Sequence, residues 1–147
     1  ILMSMEDINI IWQVGKIYYD EYKNCVLASR PNVKILPFIE NMDIAYSAAD
    51  VVICRAGALT VSELAVLGKA SILIPSPNVA EDHQTVNAMS LVNKGAAILV
   101  KDFEAKDVLI KEMKDKLKGL KDNIKYFGRP QAAIKIAEEI LKICKNA

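Results

Sequence analysis

The stretch D-V-V-I-C-R-A-G-A-L-T-V-S-E, residues Asp50–Glu63, decides the fold of this chain. Its run of β-branched residues, Val51–Cys54, is typical of a buried strand. Gly57 predicts a turn, and Ala58–Leu67 then reads as a helix that Gly68 closes at its C-terminus. A strand that leads through a glycine turn into a helix is the repeating unit of parallel α/β sheets. The stretch therefore predicts one corner of an open parallel sheet.

Strands and helices alternate along the rest of the chain, with short connections between them. We predict strands at Ile8–Val14, Val33–Phe38, Ala70–Pro75 and Ala96–Val100. We predict helices at Lys16–Ala28, Glu40–Ala49, His83–Asn93 (capped by Asp82), Lys106–Leu120 and Gln131–Lys145. The expected fold is α/β, with a Rossmann-like parallel sheet that carries helices on both faces. We expect residues 1–147 to form a single domain and the first strand to be buried on both of its faces.

Composition narrows the class of protein. The 147 residues, 52% hydrophobic and 25% charged, suffice for a folded domain with a core and exclude a disordered chain. A net charge of +1 gives no reason to expect a nucleic-acid partner, and a single histidine argues against a histidine-based metal site. The cysteines Cys25, Cys54 and Cys144 cannot pair completely, which indicates a reduced, cytosolic protein with Cys54 as a buried thiol. We do not expect Ile1–Met5 to be a signal peptide, and the sequence contains no apolar run long enough to span a bilayer.

The turn around Gly57 is a candidate site for a phosphate-bearing ligand. In open parallel sheets, ligands bind beyond the carboxyl ends of the strands, where helices begin. Gly57 lets the backbone turn tightly and approach a ligand closely. The N–H groups of Ala58, Leu59 and Thr60 would then point at a diphosphate, because a helix N-terminus attracts anions.

Glu63 and Arg55 each allow two interpretations. If Thr60 caps the helix, Thr60-Val61-Ser62-Glu63 is a capping box and Glu63 only ties down the helix start. If the helix begins near Ala58, the Glu63 carboxylate can accept hydrogen bonds from a ribose diol. Arg55 is either a solvated arginine at the end of a strand or the cation that neutralises a pyrophosphate leaving group.

Two further groups of residues are candidate ligand contacts, and the first lies on the same predicted edge of the sheet as Gly57. His83 and Gln84 occupy the first turn of a helix, and Asn87 lies one turn further on the same side. These side chains suit sugar hydroxyls, which donate and accept hydrogen bonds; the alternative is an ordinary capped helix start. After the second strand, backbone groups near Ile39 could bind the edge of a base while Phe38 or Met42 packs on its face, or these two are simply core residues.

Three segments together resemble the C-terminal domain of the MurG family, the bacterial peptidoglycan N-acetylglucosaminyltransferases. They are A-D-V-V-I-C-R-A-G-A-L-T-V-S-E-L (49–64), I-P-S-P-N-V-A-E-D-H-Q-T-V-N-A (74–88) and K-G-A-A (94–97). I-W-Q-V-G-K (11–16) and F-I-E-N-M (38–42) fit the same pattern. The resemblance covers nearly the whole chain and implies one half of a GT-B glycosyltransferase, the half that holds the sugar nucleotide.

The resemblance also implies a role for each candidate residue. Backbone amides at 58–60 would bind the diphosphate of UDP-N-acetylglucosamine, and Glu63 would bind the ribose hydroxyls. Ile39, with Phe38 and Met42, would lie at the uracil. Gln84, with His83 and Asn87, would lie at the N-acetylglucosamine. Many family members carry Gln-Gln in place of His83-Gln84, so the family pattern matches this chain at Gln84 and not at His83. Many carry serine in place of Ala56, so any hydroxyl contact at that position is lost here.

Family members transfer N-acetylglucosamine to lipid I and form lipid II with inversion at the anomeric carbon, and no metal or other cofactor is expected. On this resemblance the chain is expected to be a fragment, which lacks a glycine-rich loop and the N-terminal acceptor domain with its general base. No catalytic residue is then expected within the chain, and the fragment alone should be inactive. The parent would be cytoplasmic, peripheral on the inner-membrane surface. The alternatives are another GT-B UDP-sugar glycosyltransferase or epimerase, and a non-catalytic flavodoxin-like binding module.

Overall fold

The computed structural model describes residues 8–78, 82–105, 107–108, 128 and 130–145. Contacts within the chain divide it into two compact units, Ile1–Ala49 and Asp50–Ala147. We describe each unit by itself, and the expectation of a single domain stays a prediction.

The first unit is built on two parallel strands. Strand β1 pairs with β2 in a register that sets Ile10 opposite Val33 and Gln13 opposite Leu36. The bounds of its elements are β1 Ile10–Gln13, α1 Lys16–Tyr22, a 3-10 helix Val26–Ser29, β2 Val33–Leu36 and α2 Met42–Ala48.

Two predictions for the first unit are wrong in detail. Strand β1 is not buried on both faces, because half-buried and exposed residues alternate along it and Ile11 is 49% exposed. Helix α1 ends at Tyr22 instead of reaching Ala28, and none of its residues is buried. A short helix that buries no side chain has little tertiary packing to extend it, so the chain continues as a separate 3-10 helix.

The second unit contains the decisive stretch and a three-stranded parallel sheet in the order β3-β4-β5. Its bounds are β3 Val51–Cys54, α3 Ala58–Leu67, β4 Ala70–Leu73, α4 His83–Val92, β5 Ile98–Leu99, a 3-10 helix Asp102–Glu104 and α5 Ala132–Lys145. The parallel pairing and the alternation with helices confirm the predicted α/β class.

Strand β4 is the centre of this unit, because all four of its residues are buried. Ala70 and Ile72 pack with Ile98 and Val100 in one apolar cluster. Successive residues of a strand point to opposite faces, so Ser71 and Leu73, both 0% exposed, belong to the other face. The central strand is therefore covered on both sides, as the sequence predicts for a parallel sheet.

Helix α3 has the bounds that the sequence predicts. It ends at Gly68, whose φ of 62° and ψ of 35° lie in the left-handed region that glycine adopts without strain. The N–H of Gly68 donates to the Ala65 carbonyl at 3.2 Å, and that of Lys69 donates to the Leu64 carbonyl at 3.0 Å. These bonds satisfy carbonyls that the helix itself leaves open.

The other predicted helices of the unit begin or end close to their expected positions where the structure describes them. Most of the predicted helix at 106–120 lies outside the described residues. In the described part of the chain, no helix combines the length and the apolar character needed to cross a membrane.

Candidate sugar-nucleotide site

The candidate diphosphate site is the corner between β3 and α3. Gly57 stands immediately before the helix with an extended backbone, φ −63° and ψ 144°, and as a glycine it has no side chain to cap the helix start. The first intrahelical bond runs from the Val61 N–H to the Gly57 carbonyl at 2.9 Å. The N–H groups of Ala58, Leu59 and Thr60 precede that bond, so the helix uses none of them internally. The corner therefore presents amides of the kind that bind phosphate.

This helix start decides between the two interpretations of Glu63. A capping box requires Thr60 to precede the helix, but Thr60 is its third residue and Glu63 its sixth. The capping interpretation is therefore wrong, and Glu63 is a half-buried carboxylate one turn inside the helix. Its role at a ribose stays a prediction.

The prediction that a tight turn requires glycine at position 57 is also wrong. Its φ of −63° is open to any residue. A Cβ built on Gly57 would meet only the Thr60 hydroxyl oxygen, at 3.8 Å, which is an ordinary contact. The remaining reason to expect glycine at this position is the close approach of a ligand. A Cβ on residue 57 would occupy the space beside the Thr60 hydroxyl and the amides of residues 58–60.

Gln84 and Asn87 lie against this corner and bind its main chain. The Gln84 Oε1 atom accepts a hydrogen bond from the Ser76 N–H at 2.9 Å and another from the Ala56 N–H at 3.3 Å. The Asn87 Nδ2 group donates to the Ala56 carbonyl at 3.1 Å. The structure thus brings both predicted sugar-binding side chains to the predicted phosphate site. One polar atom of each side chain is hydrogen-bonded to the main chain of the protein.

Arg55 is held at the carboxyl ends of β3 and β4. Its Nη1 group donates to the carbonyls of Ile74 at 3.2 Å and Pro75 at 3.3 Å, and it forms an ion pair with Asp102. The interpretation as a merely solvated arginine is therefore wrong, although its side chain is 54% exposed. Asp102 lies 47 residues further along the chain, and no local sequence signal indicates this partner.

The first residues of α4 differ from the sequence prediction in one respect. Asp82 stands at the helix start, but its backbone is left-handed, with φ 52°, and its side chain makes no capping hydrogen bond. The expected cap is therefore wrong, because this conformation does not aim the carboxylate at the first helical amides. His83 is the first helical residue and is exposed.

The candidate base-binding residues belong to the first unit. Phe38 is 58% exposed, and Met42 is half-buried at the start of α2. The Ile39 N–H donates to the Gln13 Oε1 atom at 2.8 Å, so the Ile39 carbonyl remains the candidate for a base edge. No short sequence pattern indicates Gln13 as a partner of Ile39, because this bond joins positions 26 residues apart.

Cys54 lies at the end of β3, two residues before Ala56. Burial raises the pKa of the Cys54 thiol from 9.0 to about 11, so this cysteine at the end of β3 is neutral at physiological pH. Within the described ranges, no group of three or more histidine, cysteine, aspartate or glutamate residues is arranged to hold a metal ion.

The fold and the corner together define an α/β domain with a parallel sheet and a helix that begins at the end of β3. The comparisons with known proteins specify the family. The family model described as "Glycosyltransferase family 28 C-terminal domain" matches residues 2–143. The chain belongs to this family.

The similar curated proteins are consistent with this family assignment. The chain is 49% identical over 147 residues to the UDP-N-acetylglucosamine–N-acetylmuramyl-(pentapeptide) pyrophosphoryl-undecaprenol N-acetylglucosamine transferase of Flavobacterium psychrophilum. It is 46% identical over 149 residues to the protein of the same name from Bacteroides fragilis. Each alignment covers 96% of this chain but only 40% and 39% of the two relatives. The chain thus spans about two fifths of the length of the curated relatives it matches.

Solved structures show the same fold. The crystal structure of Acinetobacter baumannii MurG matches 95% of this chain and 46% of its own, with 33% identity and a TM-score of 0.80. The glycotransferase of kitacinnamycin matches 92% of this chain with a TM-score of 0.60, and at 20% identity it supports the fold alone. These matches confirm the predicted GT-B type of domain.

Proposed function

We propose that this chain binds UDP-N-acetylglucosamine and is the donor-binding domain of an enzyme that transfers N-acetylglucosamine to lipid I. The observation that carries the proposal is the start of α3 at Ala58, with an extended Gly57 before it and three amides open at the end of β3. The family and the names of the relatives support the choice of the donor and of the acceptor.

The proposed chemistry of the corner is electrostatic. In the transfer, the bond between the anomeric carbon and the β-phosphate oxygen breaks, and UDP leaves with the bonding electrons. The acceptor hydroxyl forms the new glycosidic bond, with inversion, and gives its proton to a base that we do not place in this chain. Amides aimed at the diphosphate stabilise the negative charge that grows on the leaving group, without the need for a metal. The metal-free reaction is part of the proposal.

Further contacts are proposed for each unit by itself. Glu63 binds the ribose diol, and Gln84 offers its Nε2 donors to the sugar, with His83 and Asn87 beside it. In the first unit, the Ile39 carbonyl accepts from the uracil N3–H, and Phe38 and Met42 line the base. The acceptor is bound by other parts of the longer enzyme, which works at the cytoplasmic face of the inner membrane.

Calorimetric titration of the 147-residue chain with UDP, UDP-N-acetylglucosamine and ADP tests the proposal. We expect both uridine ligands to bind and ADP to bind at least 10-fold more weakly. The same titrations are repeated on the longest natural protein that carries the chain, in buffer with EDTA. Equal affinity for all three nucleotides in both proteins, or a requirement for a divalent cation, would contradict it.

The ribose contact has its own test. Glu63→Gln keeps the size of the side chain but loses its charge, and we expect about 10-fold weaker UDP binding, as for one charge-assisted hydrogen bond. With 2′-deoxy-UDP the variant and the unaltered protein should differ much less. Glu138→Gln, an exposed glutamate of α5, is the matched control. If Glu63→Gln weakens both nucleotides equally, the ribose contact is wrong.

A further inference from the structure

Ala56 is the residue on which the candidate site depends, although its own side chain offers no chemistry. It is 0% exposed and immediately precedes Gly57, so its peptide groups lead the chain from β3 into α3. A buried peptide group needs hydrogen-bond partners. Within the described residues, two side chains of α4 bind this peptide: Gln84 accepts from the Ala56 N–H and Asn87 donates to the Ala56 carbonyl.

The chemistry of the backbone fixes the orientation of both side-chain amides. An N–H group only donates, so the atom of Gln84 that faces Ala56 and Ser76 must be the carbonyl oxygen. A backbone carbonyl only accepts, so Asn87 must face Ala56 with its nitrogen. The two residues are three positions apart and therefore lie on one face of the helix. The Nε2 donors of Gln84 and the Oδ1 acceptor of Asn87 are not used in these bonds.

We propose that Gln84 and Asn87 are positioning residues, which hold the Ala56 main chain and thereby aim the amides of Ala58, Leu59 and Thr60 at the diphosphate. Through its second bond, to the Ser76 N–H, Gln84 also fixes the loop that follows β4. Residues that would be assigned only to the sugar thus also set the affinity for the nucleotide. This inference rests on the proposed function, because it concerns the same site.

The test uses UDP, which carries no sugar, on the 147-residue chain and on the longest natural protein that contains it. Gln84→Met removes the acceptor without changing the size of the side chain much, and Asn87→Asp replaces the donor with an acceptor. If these residues position the amides, both variants should bind UDP at least 10-fold more weakly. If they contact only the sugar, UDP affinity should be unchanged and only UDP-N-acetylglucosamine should bind more weakly. Unchanged UDP affinity in both variants overturns the proposal.

Gln84→Glu separates the two roles of Gln84. A carboxylate still accepts from two N–H groups, but it has no donors for a sugar. We expect this variant to bind UDP more tightly than Gln84→Met, despite its added charge near the phosphates. UDP affinity equal to or below that of Gln84→Met contradicts positioning by Oε1. Gln131→Met and Asn93→Asp, at exposed positions outside the corner, are the controls and should bind UDP like the unaltered protein.

Hydrogen exchange without ligand keeps this test independent of the proposed function. The Ala56 amide should exchange at least 10-fold faster in Gln84→Met and Asn87→Asp, while the amides of β4 remain protected. Unchanged exchange at Ala56 refutes the positioning role even if the chain binds no nucleotide. Failure of the unaltered protein to bind UDP, with faster exchange at Ala56 in the variants, refutes the proposed function alone.

Discussion

Ala58→Pro removes one of the amides proposed to bind the diphosphate and should leave the helix intact. Ala58 is the first residue of α3, where proline is favoured because its missing N–H has no partner within the helix. A residue before proline must adopt an extended backbone, and Gly57 already has ψ 144°. Ala58 is exposed, so the ring has room. The substitution therefore tests the amide without testing the fold.

We expect Ala58→Pro to raise the stability of the protein slightly and to weaken its binding of UDP. Proline at a compatible position restricts the unfolded chain and stabilises a protein by about 0.4–1 kcal/mol. A hydrogen bond to a charged group contributes about 1.5–3 kcal/mol, so UDP should bind about 10- to 100-fold more weakly. We expect a melting temperature that is equal or slightly higher, together with a clear loss of affinity.

Calorimetry with UDP and thermal unfolding are the two measurements. Ala132→Pro makes the same substitution at the first residue of α5 and should leave UDP affinity unchanged. If Ala58→Pro folds and binds UDP as tightly as the unaltered protein, the amides at the start of α3 do not hold the diphosphate. The central inference about this corner would then be refuted.

Three further predictions concern single residues. Gly57→Ala should change stability by less than about 0.5 kcal/mol and yet weaken UDP binding, whereas Gly68→Ala, at φ 62°, should cost about 1–2 kcal/mol of stability. If Gly57→Ala and Gly68→Ala change UDP affinity equally, the close approach of the ligand at Gly57 is contradicted. Ser71→Ala should raise the free energy of unfolding by about 1 kcal/mol in denaturant titration, because within the described structure the buried hydroxyl has no hydrogen-bond partner. Stability should fall by about 2 kcal/mol as the pH rises from 9 to 11, because the unfolded Cys54 thiol ionises first when its folded pKa is about 11. Denaturant titrations at several pH values should show a smaller fall for Cys54→Ala, and an equal fall would contradict the raised pKa.

The sequence predicts those parts of the fold that depend on local signals. The bounds of β3 and α3 are correct because a β-branched run, a helix-forming segment and Gly68 each act within a few residues. Helix α1 is shorter than predicted, since its apolar residues find no buried surface to pack on. Where a helix ends thus depends on packing whenever no local signal such as Gly68 stops it.

In the candidate site, too, the sequence predicts the features that depend on local signals and misses those that depend on packing. The sequence identifies the corner and the residues around it, but it cannot show which atoms they contact. The bonds from Gln84 and Asn87 to Ala56 join positions 28 and 31 residues apart, and the partner of Arg55 lies further still. Such contacts depend on how β4 and α4 are placed beside β3, which no short motif specifies. The long-range bonds nevertheless decide how rigid the corner is.

The use of main-chain groups at the start of α3 has an evolutionary consequence. Every amino acid except proline supplies the same N–H, and Ala58 and Leu59 are exposed. The residues at positions 58 and 59 can therefore be substituted without altering the proposed phosphate contacts. A saturation library at these two codons should tolerate most replacements. Selection would act instead on neighbours that shape the backbone, so the side chains nearest to the ligand need not be the slowest to diverge.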